Sequence, residues 1–198
     1  MAISSIAAAN RERWLANLTK ALKPAFKKAG AAIPDNLRIT CGWPSRNGAA
    51  RKKRVLGECW PPNLSADNVY EVFVSPVLDD PVEVAVVLAA ELAHAACGPE
   101  HDHRYANVVR ALGMGGKPSA PASAAAFEDL LEPILEDVGE YPHGALKPRA
   151  KDKTQTTRLK KVECQTCGYT ARVTRKWLND VGPPYCPLHG RMDIMDPI

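Results

Sequence analysis

Residues 79–105 read DDPVEVAVVLAAELAHAACGPEHDHRY, and the interpretation of the whole chain starts from this stretch. Asp80 can cap a helix, Pro81 suits its first turn, and Gly98 begins the stop signal that ends it. The residues between them are almost all valine, leucine and alanine, which leaves hardly any polar face. The pattern therefore predicts one helix over residues 81–97 that is enclosed by protein on most sides.

Two ionisable side chains stand out inside this apolar helix. Glu91 and His94 lie three residues apart and share a helix face, and His101 follows the break, where it can fold back against that face. Burying either charge without a partner is costly, and a metal ion is one partner that would satisfy both. The layout is that of a zincin, in which two helix histidines lie four residues apart with a glutamate beside the first. The first histidine is missing here, because the residue at its position is Ala90.

The chain resembles the SprT-like family of zinc metallopeptidases, which includes DNA-protein crosslink proteases and many phage-encoded relatives. The resemblance covers most of the chain. It rests on residues 91–96 (ELAHAA), on the Gly-Pro-Glu-His segment that precedes Tyr105, and on a zinc ribbon near the C-terminus. It implies that Glu91 is the catalytic general base, that His94 and His101 bind an active-site Zn²⁺, and that the substrate is a protein near DNA.

Ala90 departs from the family pattern at the first metal ligand. With two matched ligands instead of three, we expect zinc to bind this site weakly or not at all, and peptidase activity to be weak or absent. His103 is not expected to substitute, because a side chain two residues along a helix from His101 points away from it. Three explanations are open: an engineered deletion of the ligand, a natural loss that leaves a binding protein on a protease scaffold, and coincidence, with His94 a core histidine paired with Glu91.

The strongest local motif lies near the C-terminus, where two pairs of metal-ligand residues are separated by eighteen residues. Cys164 and Cys167 form the first pair, and Cys186 and His189 form the second. Four such ligands suit a closed tetrahedral site for a structural Zn²⁺, which stabilises a module too small to fold alone. A redox dithiol is the alternative, but it leaves the second pair without a purpose. We expect Trp177 to belong to the small core of this ribbon.

Positive charge is modest in total, with a formal net charge of +4, but it is clustered. Lysine and arginine clusters can contact a nucleic-acid backbone without reading its sequence, although solvated loops and a flexible joint explain them equally well. The candidate nucleic-acid contacts are Arg51, Lys52, Lys53, Arg54, Lys160, Lys161, Arg172, Arg175 and Lys176. No apolar run is long enough to span a bilayer and no signal peptide is recognisable, so we expect a cytoplasmic protein of phage or bacterial origin without a membrane partner.

The predicted fold class is α+β, a zincin-like minimal domain of helices packed on a small antiparallel sheet, followed by a C-terminal zinc ribbon. The predicted domains are residues 1–145, a basic linker at 146–160 and the ribbon at 161–198. Hydrophobic periodicity predicts helices over residues 3–30, 101–112 and 127–138, strands over 37–43, 54–60 and 69–75, and a loop over 118–126. Asn47-Gly48 predicts a hairpin turn between the first two strands. We expect Cys41, Cys59 and Cys97 to be buried thiols.

Two functions are consistent with these observations. The first is an impaired SprT-like zinc metallopeptidase that acts on proteins near DNA. The second is a non-enzymatic nucleic-acid-binding or regulatory protein that uses the zinc ribbon and the basic segments. The metal content of the chain separates them in part, because one bound zinc would mean that only the ribbon is loaded.

Overall fold

A computed structural model of the chain describes residues 10–50, 53–148 and 159–195. The chain divides into two compact units, residues 1–150 and 151–198. Both mix α-helices with small sheets, as the predicted α+β class requires. Most of the predicted linker, residues 149–158, lies outside the described residues, and the predicted domain boundaries stay a prediction. None of the helices in the described ranges has the length and hydropathy that a membrane span needs.

The N-terminal unit contains four α-helices and five short strands among its described residues. They are α1 (Arg11–Lys28), β1 (Leu37–Cys41), β2 (Gly57–Trp60), β3 (Tyr70–Val74), α2 (Pro81–Cys97), α3 (His103–Ala111), β4 (Gly115–Lys117), β5 (Ala120–Ala122) and α4 (Ala125–Val138), with a 3₁₀ turn at Pro62–Leu64.

The central helix α2 has the predicted ends. The Asp80 carboxylate accepts a hydrogen bond from the Glu83 amide at 2.9 Å, which satisfies one of the free amides of the first turn. At the other end, the Gly98 amide donates to the His94 carbonyl and the glycine adopts a φ of 109°, a conformation that other residues rarely reach. Most of the helix surface is buried against the sheet and the other helices of the unit, as its composition predicts.

The three-stranded sheet is mixed, whereas a purely antiparallel sheet was predicted. β3 lies between the other two strands, with β1 parallel to it and β2 antiparallel to it. The prediction of a hairpin between β1 and β2 is therefore wrong. Asn47 does adopt the left-handed conformation of a turn residue, with a φ of 51°, but β3 separates the two strands that this turn connects. Residues Ile39, Val72 and Cys59 share one face of the sheet and pack on the core.

Two further predictions of secondary structure are corrected. α3 begins at His103, so His101 precedes the helix instead of opening it. Residues 118–126 were expected to form a loop, but Ala120–Ala122 pairs with Gly115–Lys117 as a short antiparallel hairpin. Gly116 adopts a φ of 78° in this hairpin. A Cβ added there would come within 2.7 Å of the Ala120 carbonyl oxygen on the paired strand.

The C-terminal unit has a three-stranded sheet in the order β10-β6-β7 and a separate two-stranded sheet, β8-β9. Its elements are β6 (Leu159–Glu163), β7 (Thr170–Thr174), α5 (Arg175–Asp180), β8 (Tyr185–Cys186), β9 (Gly190–Arg191) and β10 (Asp193–Ile194). Its small core consists of Val162, Cys164, Leu178, Cys186 and Met192. The expectation that Trp177 belongs to this core is wrong, because its side chain is 54% exposed and Leu178 takes the buried position of α5.

Candidate functional site

The turn between α2 and α3 brings three aromatic side chains of the predicted site together. The His94 and His101 rings meet edge to face with their centroids 4.7 Å apart. Tyr105, on the first turn of α3, stacks on His94 with a centroid distance of 4.3 Å and meets His101 edge-on at 5.0 Å. Tyr105 is almost fully buried, and it contacts the half-buried His94 and the exposed His101. The two predicted metal ligands are therefore neighbours.

The backbone determines which nitrogen of His94 is available as a ligand. The His94 Nδ1 atom lies 3.1 Å from the Gly98 carbonyl oxygen. A carbonyl only accepts hydrogen bonds, so Nδ1 carries the proton and Nε2 keeps its lone pair. Burial lowers the pKa of His94, and the nearby His101 lowers it further. The lowered pKa favours the neutral imidazole, the form that binds metal ions.

Glu91 lies one turn before His94 in a half-enclosed cavity of about 830 Å³. Burial raises the pKa of Glu91 to about 8, and the negative charge of Glu58 on β2 raises it as well. Space for the Glu91 side chain depends on Gly57, because a Cβ at that position would lie 2.5 Å from Glu91 Oε1 and 2.7 Å from Val87 Cγ1. The strand β2 therefore approaches α2 closely just where the carboxyl group lies.

Glu58 also lines this cavity, and its pKa is lowered. Burial by itself would raise the pKa of Glu58, but hydrogen bonds from Ser45 hold it below its ordinary value. The Ser45 amide donates to Glu58 Oε2 at 2.7 Å and the Ser45 hydroxyl donates to Oε1 at 2.6 Å. Glu58 and Glu91 are thus two nearby carboxyl groups whose environments move their pKa values in opposite directions.

Ala90 lines the same cavity as Glu91, His94 and His101. Its methyl group offers no ligand atom, and His103 is an exposed residue at the start of α3. Among the described residues, the one group in which three or more potential ligand atoms converge belongs to the C-terminal unit. The residues around Ala90 therefore do not complete a three-ligand zinc site.

The C-terminal unit holds the predicted metal ligands close together. The potential ligand atoms of Cys164, Cys167, Cys186 and His189 all lie within 4.8 Å of one another. The Cys167 and Cys186 Sγ atoms are 3.7 Å apart, and the His189 Nδ1 atom is 3.7 Å from the Sγ atoms of Cys164 and Cys186. A tetrahedral ion with Zn–S bonds of about 2.3 Å separates its ligand atoms by about 3.8 Å. The group could hold a metal ion, and its spacing is consistent with zinc.

The turns that present these ligands follow from glycines in the sequence. Gly168 and Gly190 directly follow a ligand and adopt φ values of 73° and 88°. This conformation lets the backbone reverse around the ligand pair, and the Gly168 amide donates to the Cys164 carbonyl at 2.9 Å. Hydrogen bonds from the backbone amides of Cys167 and Thr166 lower the pKa of Cys164 to about 6. These hydrogen bonds therefore favour the thiolate form of Cys164.

The predicted nucleic-acid contacts belong to both units of the chain. Arg51 and Lys52 lie outside the described residues, and the neighbouring Lys53 is exposed. Arg54 is half-buried on the wall of the Glu91 cavity, and its Nε donates to the Ala50 carbonyl at 2.9 Å.

In the C-terminal unit, Lys161 and Arg172 are directly opposite each other on β6 and β7. Lys160 points to the other face of the sheet because strand side chains alternate. Arg175 and Lys176 are exposed on the first turn of α5, and the Lys176 Nζ lies 5.2 Å from the centroid of the Trp177 ring.

Three residues of the cavity were missed by the sequence analysis. Gly57, Glu58 and Cys59 line it from β2. Cys59 is half-buried beside Glu91, and burial raises the pKa of its thiol to about 12, with the Glu91 charge adding to the effect. The alternation of β2 could have placed Gly57 and Cys59 on the core-facing side, but their position opposite Glu91 depends on a strand order that local patterns do not encode.

No protein-family model matches the sequence, and neither the curated proteins nor the solved structures compared with it give a match.

Proposed function

We propose that this chain is a SprT-like protein whose peptidase site has lost its first metal ligand, so that it acts weakly or not at all as a zinc metallopeptidase on proteins near DNA. One observation supports this proposal above the others. Glu91, His94 and His101, which the resemblance assigns to the site, all line one cavity, and Ala90 lines it too. If His94 were only a core histidine paired with Glu91, there would be no reason for His101 to line the same cavity.

Position 90 explains the impairment in physical terms. Residues 90 and 94 lie four apart on α2, so their side chains project from the same face of the helix. A histidine at position 90 would add an imidazole to the cavity that His94 already lines. Alanine leaves two imidazoles, and a site with two protein ligands holds zinc far more weakly than one with three.

The test is to restore the ligand. We expect Ala90→His to raise the zinc content from about one to about two ions per chain and to confer cleavage of an unfolded protein substrate. Glu91→Gln in the Ala90→His background should abolish cleavage while the second zinc stays bound, because the glutamate acts on protons and is not a ligand. His94→Ala in the same background should return the zinc content to about one. The proposal fails if Ala90→His changes neither zinc content nor cleavage while the chain remains folded.

A second function, nucleic-acid binding without catalysis, is favoured by the surface of the C-terminal unit. Lys161 and Arg172 are opposite each other on one face of its sheet, and three aromatic residues of the same unit are largely exposed. These are Tyr169, Trp177 and Tyr185. Basic side chains beside exposed aromatic rings are typical of surfaces that bind single-stranded nucleic acids by backbone contact and base stacking.

Salt dependence tests this second function. Each phosphate contact adds roughly 0.7 to 0.9 to the slope of log affinity against log salt. Replacing Arg172, Arg175 and Lys176 together with alanine should therefore lower the slope by about two. Lys117→Ala, which removes an exposed charge from the N-terminal unit, is the matched control and should leave the slope unchanged. Binding that does not respond to salt would rule out phosphate contacts.

A further inference from the structure

The outer face of the three-stranded sheet carries a cluster of aromatic residues. Along β3, Val72 and Val74 are buried in the core, so Phe73 between them projects from the opposite face. The register pairs Phe73 with Glu58 on β2, which puts these two side chains next to each other on the same face. Glu58 also lines the cavity around His94, whereas the aromatic residues of this face do not. The face is a second surface with its own chemistry.

These outward side chains line a pocket of about 450 Å³. Its lining contains three aromatic rings and two carboxylates, and no basic side chain from the described residues. The lining residues are Trp43, Ser45, Glu58, Trp60, Leu64, Ser65, Glu71 and Phe73. Trp43 is 39% exposed and Leu64 is 61% exposed, so apolar surface at the mouth of the pocket is left in contact with water. A folded chain gains nothing from this exposure by itself.

The local backbone supports the aromatic wall. Gly42, just after β1, lies under the Phe73 ring, and a Cβ there would come within 3.1 Å of Phe73 Cδ1. The glycine therefore lets the ring lie close to the backbone of the neighbouring segment. Trp60 and Glu58 lie two residues apart on β2, so their side chains project from the same face of the sheet. The pairing of β2 with β3 thus places the Phe73 ring next to the Glu58 carboxylate without a ligand.

The charge of the pocket is negative. Glu58 accepts two hydrogen bonds from Ser45, at 2.6 and 2.7 Å, and these favour its carboxylate form. Glu71 pairs with Arg38 at 2.6 Å, but Arg38 also pairs with Asp67 at 2.6 Å, so one cation is shared between two acids. Arg46 also acts on Glu58 from outside the lining. Glu58 is the carboxylate that the register places beside Phe73.

Aromatic faces and carboxylates together attract cations that can lose their hydration easily. The ring faces carry negative quadrupole charge, and methyl groups on an ammonium weaken its hold on water while they pack against the rings. We propose that this pocket binds an alkylated ammonium group, carried either by a methylated lysine side chain or by a free choline-like molecule. The proposal is independent of the peptidase scaffold.

Calorimetric titration of the full-length, zinc-loaded chain tests the proposal with choline and its uncharged isostere dimethylbutanol. The two probes have the same shape and differ in charge, so we expect choline to bind saturably and about tenfold more tightly. Trp43→Ala should weaken choline binding about tenfold, because it removes an exposed ring from the pocket. Trp177→Ala is the matched control, since it removes an exposed tryptophan from the other unit, and should change nothing. Glu58→Gln should weaken choline binding and leave dimethylbutanol unaffected.

A peptide that carries trimethyllysine, compared with the same peptide bearing unmodified lysine, identifies the source of the cation. Tighter binding of the methylated peptide than of choline assigns the pocket to a protein partner, and equal affinity assigns it to a free cation; both uphold the proposal. Equal binding of choline and dimethylbutanol overturns it, as does an unchanged affinity after both Trp43→Ala and Glu58→Gln. A lack of saturable binding for choline and the methylated peptide overturns it as well.

Discussion

At the scale of single residues, the space around Glu91 depends on one missing side chain. Gly57 has an ordinary backbone conformation, so its role is to leave room for α2 and not to make a turn. A methyl group there would meet Glu91 Cγ and Val87 Cγ1, both at 2.7 Å. Both contacts are well inside van der Waals distance, so either the strand or the helix must move.

Gly57→Ala should therefore destabilise the chain by about 1–3 kcal/mol. The measurement is urea unfolding, and Gly144→Ala is the matched control, because a Cβ at Gly144 meets no atom within 4 Å. The loss should be smaller when Glu91→Ala is already present, because one of the two overlapping side chains has been shortened. Equal losses in both backgrounds would show that Glu91 is not what limits the space.

Glu91 itself gives a pH-dependent prediction for the metal-free chain. Its pKa is raised to about 8 in the folded state, whereas an unfolded glutamate has an ordinary value of about 4.3. Below the unfolded value both states are protonated and Glu91 contributes nothing to the pH dependence. As the pH rises towards 8, the unfolded chain loses the proton while the folded chain keeps it, so folding becomes less favourable. Above 8 the penalty is constant.

Glu91→Gln removes this penalty, and in the presence of a chelator we expect the variant to be more stable than the unaltered chain by roughly 1–3 kcal/mol at pH 7. The advantage should shrink towards zero at pH 4. Denaturant unfolding of both proteins at several pH values measures it. A difference that stays constant with pH would mean that Glu91 is not protonated in the fold.

At the scale of secondary structure, local patterns predicted some elements and missed others for a physical reason. Both ends of α2 are fixed by short-range hydrogen bonds, from the Glu83 amide to Asp80 and from the Gly98 amide to His94, so the sequence alone was enough. The strand order was not predictable in this way, since the pairing of β1 with β3 joins residues more than thirty positions apart. Side-chain alternation indicates a strand but does not identify its neighbour.

The candidate site residues also divide into those that a local pattern predicts and those that only tertiary packing brings together. Glu91 and His94 share α2 and were predicted from helix periodicity, and the ribbon ligands were predicted from their spacing. The β2 side of the cavity was missed because it reaches the helix through tertiary packing. Trp177 was wrongly expected in the core of the C-terminal unit, where α5 buries the neighbouring Leu178. The sequence contains no local pattern that separates these two neighbours.

The N-terminal cap of α3 directly follows His101 and should fix its position. The Asp102 carboxylate accepts hydrogen bonds from the amides of Arg104 and Tyr105, at 2.9 and 3.0 Å, and so fixes the residue next to His101. Asp102→Ala should lower the midpoint of thermal unfolding by a few degrees and shift the imidazole NMR signals of His94 and His101. Asp102→Asn keeps a capping oxygen, so its unfolding midpoint and imidazole signals should stay close to those of the unaltered chain. Unaltered imidazole signals in Asp102→Ala would show that the cap does not position the histidines.

At the scale of the whole molecule, the two units differ in what can stabilise them. The N-terminal unit buries a large core that includes Trp14, Phe26 and Phe127. The core of the C-terminal unit consists, among the described residues, of five side chains, and two of them are Cys164 and Cys186, which belong to the group that could hold a metal ion. A core this small does not offset the conformational entropy of ordering the chain around it. Metal binding should therefore supply most of the folding free energy of this unit, as it does in small zinc modules.

Cys186→Ser removes a ligand that is also a core residue, and we expect it to abolish the bound zinc and to unfold residues 159–195 while residues 10–148 keep their structure. Amide hydrogen exchange followed by mass spectrometry measures both units in the same sample: protection should be lost in peptides from the ribbon and retained in peptides from α1, α2 and β3. Cys41→Ser is the matched control, since Cys41 is a free thiol in the N-terminal unit. It should leave zinc content and ribbon protection unchanged. Full protection of the ribbon in zinc-free Cys186→Ser would mean that its few buried side chains are sufficient without the metal.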